Sequence, residues 1–135
     1  MAVYFADTSF WVALIDRRDT HHSKAVEWSG KISGTLVTTE AVLLEMANTF
    51  AKPDWRERVI TLFDHIMTRD DIEGVPSSSS LWDRGWTLFR SRNDKSWSLT
   101  DCLSFVIMQE KEILEALASD SHFRQAGFQA LLLEQ

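Results

Sequence analysis

Five short apolar segments alternate with segments of helical character, and this alternation restricts the fold more than any other feature of the chain. The apolar segments cover residues 3–6, 35–38, 72–75, 113–118 and 130–133. Their length and composition predict β-strands, and the segments between them are long enough for helices. Strands that alternate with helices form parallel sheets covered on both faces, with right-handed crossovers. The sequence therefore predicts an α/β fold, a three-layer α/β/α sandwich with a five-stranded parallel sheet.

The helices are predicted from apolar spacing and from residues that favour helix ends. They cover residues 10–15, 21–28, 40–51, 55–67, 99–109 and 121–126, with a further helix after the serine run 77–80. That further helix carries Trp82, Trp86 and Phe89 at positions i, i+4 and i+7. This spacing places the three rings on one helix face, which we predict to pack in the core. Trp11, Trp28, Trp55 and Trp97 remain candidates for base stacking or for a subunit interface.

Length, composition and charge restrict the class of protein. With 135 residues and 44% hydrophobic content, residues 1–135 are expected to form one domain. The net charge of −6 argues against a general basic coat for nucleic acid, although local basic patches could still bind RNA. The single Cys102 cannot form an internal disulfide, which favours a reducing cytoplasmic setting. Asp7 interrupts the N-terminal apolar run, and no run of about 18 apolar residues follows, so we expect no signal peptide and no membrane span.

Four carboxylates stand alone where hydrophobic segments meet turns or helices: Asp7, Glu45, Asp101 and Asp120. Hard cations such as Mg²⁺ and Mn²⁺ take oxygen ligands, and crowded carboxylates repel one another unless a cation neutralises them. Asp7 follows the first predicted strand and Asp120 the fourth. If those strands are neighbours where the strand order reverses, the two side chains meet at the edge where parallel sheets bind ligands. The pattern predicts a divalent-metal site suited to phosphoryl chemistry.

Each acid also has a purely structural explanation. Asp7 and Asp120 could cap the helices that follow them, and Asp101 lies three residues after Ser98, which is the spacing of a capping box. Glu45 is harder to explain in this way, because it interrupts a helix that is otherwise largely apolar. It could still belong to an exposed stripe of that helix. Only the joint pattern of the four acids favours a site.

Other polar residues near these acids are ambiguous. Ser9 could offer its hydroxyl to a phosphate or to a water on the metal, or it could serve as a second helix cap. His122, beside Phe123, is more typical of a structural histidine than of a catalytic one. The basic residues near predicted helix ends are candidates for phosphate contacts, but they are equally typical of a protein surface. They are Arg17, Arg18, Lys24, Lys52, Arg56, Arg90, Arg92 and Lys95.

Four segments together carry a family resemblance. They are FADTSFWVAL at 5–14, TTEAVLLE at 38–45, WSLTDCLSFVIM at 97–108 and ASDSHFRQAGF at 118–128. In this order and over nearly the whole chain, the sequence resembles the PIN-domain ribonucleases, and in particular the VapC-type toxins of toxin–antitoxin pairs. The segment Ser-Leu-Thr-Asp-Cys before an apolar helix is its most specific part.

The resemblance implies a five-stranded parallel α/β/α sandwich and an endoribonuclease that uses Mg²⁺ or Mn²⁺. It implies that Asp7, Glu45, Asp101 and Asp120 form the acidic cluster and that Ser9 assists with its hydroxyl. It further implies cleavage of single-stranded or looped RNA to 5′-phosphate and 3′-hydroxyl ends, a homodimer, and a small antitoxin protein as partner. Ala118 stands where relatives often have threonine, which removes one polar contact near Asp120.

Two other functions compete with this interpretation. A metal-dependent phosphohydrolase of small phosphoesters also carries an aspartate after its first strand, but it would need a second aspartate where Ser9 stands. A non-catalytic RNA-binding or scaffold protein could keep the fold without the chemistry. The presence of all four acids argues against that alternative.

Overall fold

The computed structural model describes residues 2–134, and strands and helices alternate along them as expected. The strands are β1 (Ala2–Ala6), β2 (Gly34–Thr39), β3 (Ile72–Val75), β4 (Glu115–Leu117) and β5 (Gln129–Ala130). The helices are α1 (Thr8–Ile15), α2 (His22–Lys31), α3 (Glu40–Thr49), α4 (Pro53–Thr68), α5 (Ser79–Ser91), α6 (Leu99–Glu110) and α7 (His122–Gln125), with a 3₁₀ turn at Leu131–Leu133. In the part of the chain described, no helix is both long and apolar enough to cross a membrane.

The sheet is parallel throughout and has the strand order β3-β2-β1-β4-β5. From β1 the chain proceeds outward on one side through β2 and β3, and then returns to place β4 on the other side of β1. The strand order therefore reverses between β1 and β4, where Ala6 pairs with Leu117. The predicted α/β fold with five parallel strands is confirmed, and Asp7 and Asp120 follow the two strands that flank the reversal.

The central strands are covered by side chains that are almost fully buried, among them Phe5, Val37, Leu117 and Phe123. Burial on both faces explains why these strands appear in the sequence as continuous apolar runs and not as alternating ones. Thr38 is an exception in this core, and its hydroxyl donates to the carbonyl of Ala6 at 2.9 Å. The hydrogen bond satisfies a buried polar group between the two central strands.

The two strands nearest the C-terminus are shorter than predicted. The fourth was expected over 113–118, but the turn that ends α6 extends to Ile113, whose N–H donates to the carbonyl of Met108. The fifth was expected over 130–133, and the leucines from 131 to 133 instead form the 3₁₀ turn. A short apolar run fits a buried helical turn as well as a strand, and burial of Leu131 and Leu132 holds the turn in the core.

The prediction that the aromatic face of α5 lies in the core is wrong. Trp82, Trp86 and Phe89 are 53%, 41% and 39% exposed, and their rings stack along the helix surface. The helix packs on α6 through the adjacent face, where Leu81 and Gly85 are buried. Helical spacing identifies a face, but it does not decide which of two neighbouring apolar faces turns inward.

The tryptophans considered for surface roles are, in contrast, buried or partly buried. Trp11 and Trp97 are buried, and Trp28 and Trp55 are partly buried against the core. Trp97 donates its indole N–H to Gln125 at 3.0 Å and meets Phe105 edge to face. Burial of Trp11 and Trp97 excludes base stacking on either ring in this conformation.

Candidate metal centre at the sheet edge

Asp7 is fixed at the point where β1 ends and α1 begins. Its backbone N–H donates to the carbonyl of Leu117 on β4 at 3.1 Å, which extends the pairing of the two strands by one residue. Its Oδ2 accepts from the backbone N–H of Ser9 at 3.2 Å and from the Ser9 hydroxyl at 2.7 Å. The helix cap expected as the structural explanation of Asp7 is therefore present.

The environment of Asp7 disfavours its negative charge. The residue is only 5% exposed. Burial raises the pKa of Asp7 from 3.8 to about 7, the hydrogen bond from the Ser9 hydroxyl opposes this rise, and the charge of Asp101 adds to it. A buried carboxylate close to another one is stable only as the protonated acid or beside a cation.

Asp101 lies in the first turn of α6 and forms the predicted capping box with Ser98. Ser98 Oγ accepts from the Asp101 N–H, and Asp101 Oδ2 accepts from the Ser98 N–H, both at 3.0 Å. Burial raises the pKa of Asp101, the Ser98 N–H and His122 lower it, and the charge of Asp120 raises it further. Asp101 therefore forms a helix cap and also lies close to a second negative charge.

His122, which the sequence suggested to be a structural histidine, connects Asp101 to Asp120. Its Nδ1 lies 2.9 Å from Asp101 Oδ2 and 3.2 Å from Asp120 Oδ1. The backbone N–H of His122 also donates to Asp120 Oδ1 at 2.9 Å. Candidate ligand atoms of these three residues lie within 4.8 Å of one another. The only signal in the sequence was the two-residue spacing from Asp120.

Each of the two clustered acids uses one oxygen for structure and keeps the other available. Within residues 2–134, Asp101 Oδ1 and Asp120 Oδ2 have no hydrogen-bond partner. Carboxylate oxygens that are held by protein groups on one side and free on the other are suited to coordinate a hard cation. Together with the unfavourable burial of charge at Asp7, this donor set fits a divalent metal ion.

Ser9 connects Asp7 to the chain segment that carries Asp120. Its hydroxyl donates to Asp7 Oδ2 and accepts from the backbone N–H of Ser119 at 3.0 Å. The single hydroxyl proton is thus committed to Asp7, which orients that carboxylate. Ala118 is fully buried, and its carbonyl accepts from Leu132, so the main chain before Asp120 is fixed without the threonine that relatives often have.

Glu45, like Asp7, lies outside the compact group formed by Asp101, Asp120 and His122. It is partly buried on α3 and lines a groove together with Thr100, the residue before Asp101. The predicted exposed stripe on α3 also exists, because Leu44, Asn48 and Thr49 are exposed. Glu45 is therefore next to the cluster but not part of its hydrogen-bond network.

Comparison with known proteins identifies the class to which this fold and site belong. The PIN domain family model matches residues 4–129. The chain therefore belongs to the PIN-domain family.

Particular relatives narrow this assignment. The 23S rRNA-specific endonuclease VapC20 of Mycobacterium tuberculosis is 30% identical over 126 residues, which cover 92% of this chain and 94% of the relative. The crystal structure of Mycobacterium tuberculosis VapC20, described as a Sarcin-Ricin loop cleaving toxin, matches with a TM-score of 0.85 and 24% identity over 94% of this chain and 96% of that one. VapBC2 from Rickettsia felis, bound to a DNA fragment from its promoter, matches with a TM-score of 0.66 and 15% identity over 95% and 96%. The predicted family and its VapC type are confirmed.

Proposed function

We propose that this chain is a divalent-metal-dependent endoribonuclease and the toxin of a toxin–antitoxin pair. One observation carries the proposal: Asp101, Asp120 and His122 offer ligand atoms within 4.8 Å of one another at the edge where the strand order reverses, and the charge of Asp101 raises the pKa of the buried Asp7 there. Membership of the PIN-domain family and the VapC-type relatives support the same class of enzyme.

The residues that would hold the ion are Asp7, Asp101 and Asp120, with Glu45 from the neighbouring helix. All four offer oxygen ligands, which suits Mg²⁺ or Mn²⁺ and not a soft metal. Such an ion, when bound, lowers the pKa of a water molecule and stabilises charge on the oxygen that leaves the scissile phosphate. The chemistry is phosphodiester hydrolysis, and by analogy with the family its products carry 5′-phosphate and 3′-hydroxyl ends.

The protein contributes orientation and a dry environment. Ser9 and the end of β1 fix the Asp7 carboxylate, and the capping box fixes that of Asp101. His122 holds Asp101 and Asp120 together through one nitrogen. Preorganised ligands of this kind avoid the cost of rearranging side chains during the reaction. Burial of Asp7 excludes water that would otherwise screen its charge.

The substrate we propose is RNA with an exposed loop. VapC20 is described as specific for 23S rRNA and as a toxin that cleaves the Sarcin-Ricin loop. At 30% identity over nearly the whole chain, 23S rRNA is the first substrate to examine. Cleavage should be compared on three RNAs: a fragment with the loop, the same fragment with the loop closed into a duplex, and an unrelated hairpin. This comparison separates recognition of sequence from recognition of single strands.

The decisive experiment compares RNA cleavage by the parent protein with cleavage by Asp7→Asn and Asp101→Asn, in Mn²⁺, in Mg²⁺ and in EDTA. Asp70→Asn is the matched control, because Asp70 is exposed just before β3, at the opposite edge of the sheet. We expect the two site variants to lose at least about 100-fold in rate, as loss of a metal ligand typically causes. Equal cleavage by all four proteins would assign the activity to a contaminant and refute the proposed site.

The partners we propose are a small antitoxin and a second copy of the chain. A VapBC complex is among the structures with this fold, and the resemblance to VapC-type toxins implies both partners. A gene beside this one that encodes a small protein should yield a stable complex on co-expression, and the complex should cleave RNA more slowly than the free chain. Independent folding of the chain and undiminished cleavage in the mixture would contradict the toxin role while leaving the nuclease intact.

A further inference from the structure

Three arginines line one cleft that is separate from the proposed metal site. Arg17 and Arg18 follow the end of α1, and Arg58 lies in the second turn of α4. His22, Trp55 and Asp16 line the same cleft, whose volume is about 740 Å³. It is the largest concentration of positive charge around a single cavity among those described in residues 2–134.

Two of these arginines lack an acidic partner. Within residues 2–134, no carboxylate lies within 4.0 Å of the side-chain nitrogens of Arg17 or Arg58, whereas Arg18 is 3.7 Å from Asp16. Half of the basic residues of the chain are neutralised in ion pairs of this kind, such as those of Lys31 and Arg69. In a protein with a net charge of −6, unpaired arginines beside a cleft are available for an external anion.

The topology places the cleft about one short helix away from the acids, because α1 begins beside Asp7 and its 8 residues span about 12 Å before Arg17 and Arg18 follow. Helix α2 ends at Lys31, just before β2 begins, and α4 ends at Thr68, just before β3 begins. Both helices therefore finish at the edge where strands start. Their N-terminal turns lie on the side away from that edge, toward the end of the sheet where the acids are held; His22 is in the first turn of α2, Trp55 in the first turn of α4 and Arg58 in the second turn of α4.

We propose that this cleft binds backbone phosphates of the RNA substrate beside the scissile one. The inference rests on the proposed endoribonuclease function and assigns the residues that hold the substrate. Guanidinium groups present paired N–H donors that match phosphate oxygens. The group of acids repels a polyanion, so binding of RNA requires cationic contacts close to the acids.

The wall of the cleft also restrains one guanidinium. The Arg58 guanidinium lies 4.9 Å from the centre of the Trp55 ring, and that ring in turn packs on Phe50 at 4.7 Å between centroids. Stacking on an indole leaves the edge of the guanidinium, where its N–H groups lie, free for an anion. An acidic protein segment is the competing occupant, but the short distance along α1 between the acids and the cleft favours the substrate.

The test compares two double variants. Each removes two positive charges, one from α2 or the turn before it and one from α4 or the residue after it. Arg17→Gln/Arg58→Gln changes the cleft, and Lys31→Gln/Arg69→Gln changes the opposite ends of α2 and α4. Binding of a fluorescent single-stranded RNA is measured in EDTA, where cleavage is blocked, over a range of salt concentrations. Cleavage is then measured in Mn²⁺ over a range of RNA concentrations, after circular dichroism has shown both variants to be folded.

We expect the cleft variant to bind RNA roughly tenfold more weakly than the parent, and its plot of log affinity against log salt to flatten by about 1.4 for two lost contacts with a single strand. Its KM for RNA should rise while kcat at saturating RNA stays within about threefold. The control should match the parent.

If the two double variants bind and cut RNA alike, the inference is overturned, whether or not an acidic protein segment then occupies the cleft. Absence of cleavage by the parent would instead refute the proposed function, and the EDTA binding data would still decide the role of the cleft.

Discussion

At the scale of single residues, the candidate centre shows that a side chain with hydrogen bonds at a helix end can also be placed where it could serve as a metal ligand. Asp7, Asp101 and Asp120 each accept a hydrogen bond from a nearby backbone N–H, as their positions in the sequence predicted. Capping engages one oxygen of a carboxylate and fixes its orientation. The structural and functional interpretations, which compete when only the sequence is known, are therefore compatible in space.

Asp7 should make the metal-free protein less stable as the pH rises. Its folded-state pKa of about 7 lies above the ordinary value of 3.8, so its stabilising contribution is complete below pH 3.8 and disappears as the pH rises through 7. Asp7→Asn, which cannot ionise, should exceed the parent in free energy of unfolding by on the order of 2–4 kcal/mol at pH 8 and by almost nothing at pH 4. Urea unfolding in EDTA measures both values. If Asp7→Asn and the parent differed in free energy of unfolding by the same amount at pH 4 and pH 8, Asp7 would not have a raised pKa.

Addition of Mn²⁺ should make the parent more stable than Asp7→Asn at pH 8. The ion binds the folded parent and stabilises it by mass action, whereas Asp7→Asn offers a weaker ligand. Because binding requires ionised Asp7, the increase in the parent's Tm should be larger at pH 8 than at pH 6. Thermal unfolding with and without Mn²⁺ tests this expectation, with Asp70→Asn as control for charge. A shift that is independent of pH would show that Asp7 is not part of the ion's environment.

His122 should act as a positioning residue for the two acids that it contacts. His122→Leu removes the donor between Asp101 and Asp120 and should weaken Mn²⁺ binding by about 10–100-fold. His122→Asn retains an N–H donor close to the place of Nδ1 and should restore most of the affinity, whereas His122→Gln places its donor further out. Titration of free Mn²⁺ by electron paramagnetic resonance compares the variants without reference to activity. Equal affinity of all three for Mn²⁺ would exclude this role.

At the scale of elements, most of the fold could be predicted from the sequence, and the errors have physical causes. Strand β3 has the predicted bounds, and the condition set for the site, that the first and fourth strands are neighbours where the order reverses, is met. The centre was predicted from the acids that follow β1 and β4. His122 was missed, because its role depends on a contact with Asp101 across 21 residues. The inward face of α5 was assigned wrongly, because Gly85 carries no hydrophobic signal.

Gly85 permits the close approach of α5 to α6. A Cβ at this position would lie 2.4 Å from Cδ2 of Leu103, whereas a Cβ at Gly30 in α2 would meet nothing within 4 Å. Gly30→Ala should stabilise the protein by roughly 0.5–1 kcal/mol through helix propensity alone. Gly85→Ala gains the same propensity and should nevertheless be less stable than Gly30→Ala by about 1–3 kcal/mol, because the core is overpacked. Denaturant unfolding of the two variants measures the difference, and equal stabilities would show that the helices separate freely.

At the scale of the whole molecule, the exposed aromatic face of α5 indicates an association surface. Trp82, Trp86 and Phe89 form a continuous stack, and Trp82 lines a groove with Leu44, which is 62% exposed on α3. Continuous apolar patches of this kind are uncommon on monomers. If the chain forms the homodimer proposed above, we expect this surface to lie between the two copies, because a patch that contains both a groove and protruding rings can pair with itself about a two-fold axis.

Replacement of the stacked rings should therefore convert a dimer to a monomer. Trp82→Ser/Trp86→Ser removes two partly exposed rings and should raise the dissociation constant by at least about 100-fold, as loss of central interface tryptophans typically does. Met67→Ser is the control, because Met67 is 69% exposed on α4, away from this helix. Light scattering after size-exclusion chromatography gives the masses, and circular dichroism verifies folding. A parent that is monomeric at all concentrations would contradict the assignment of this surface.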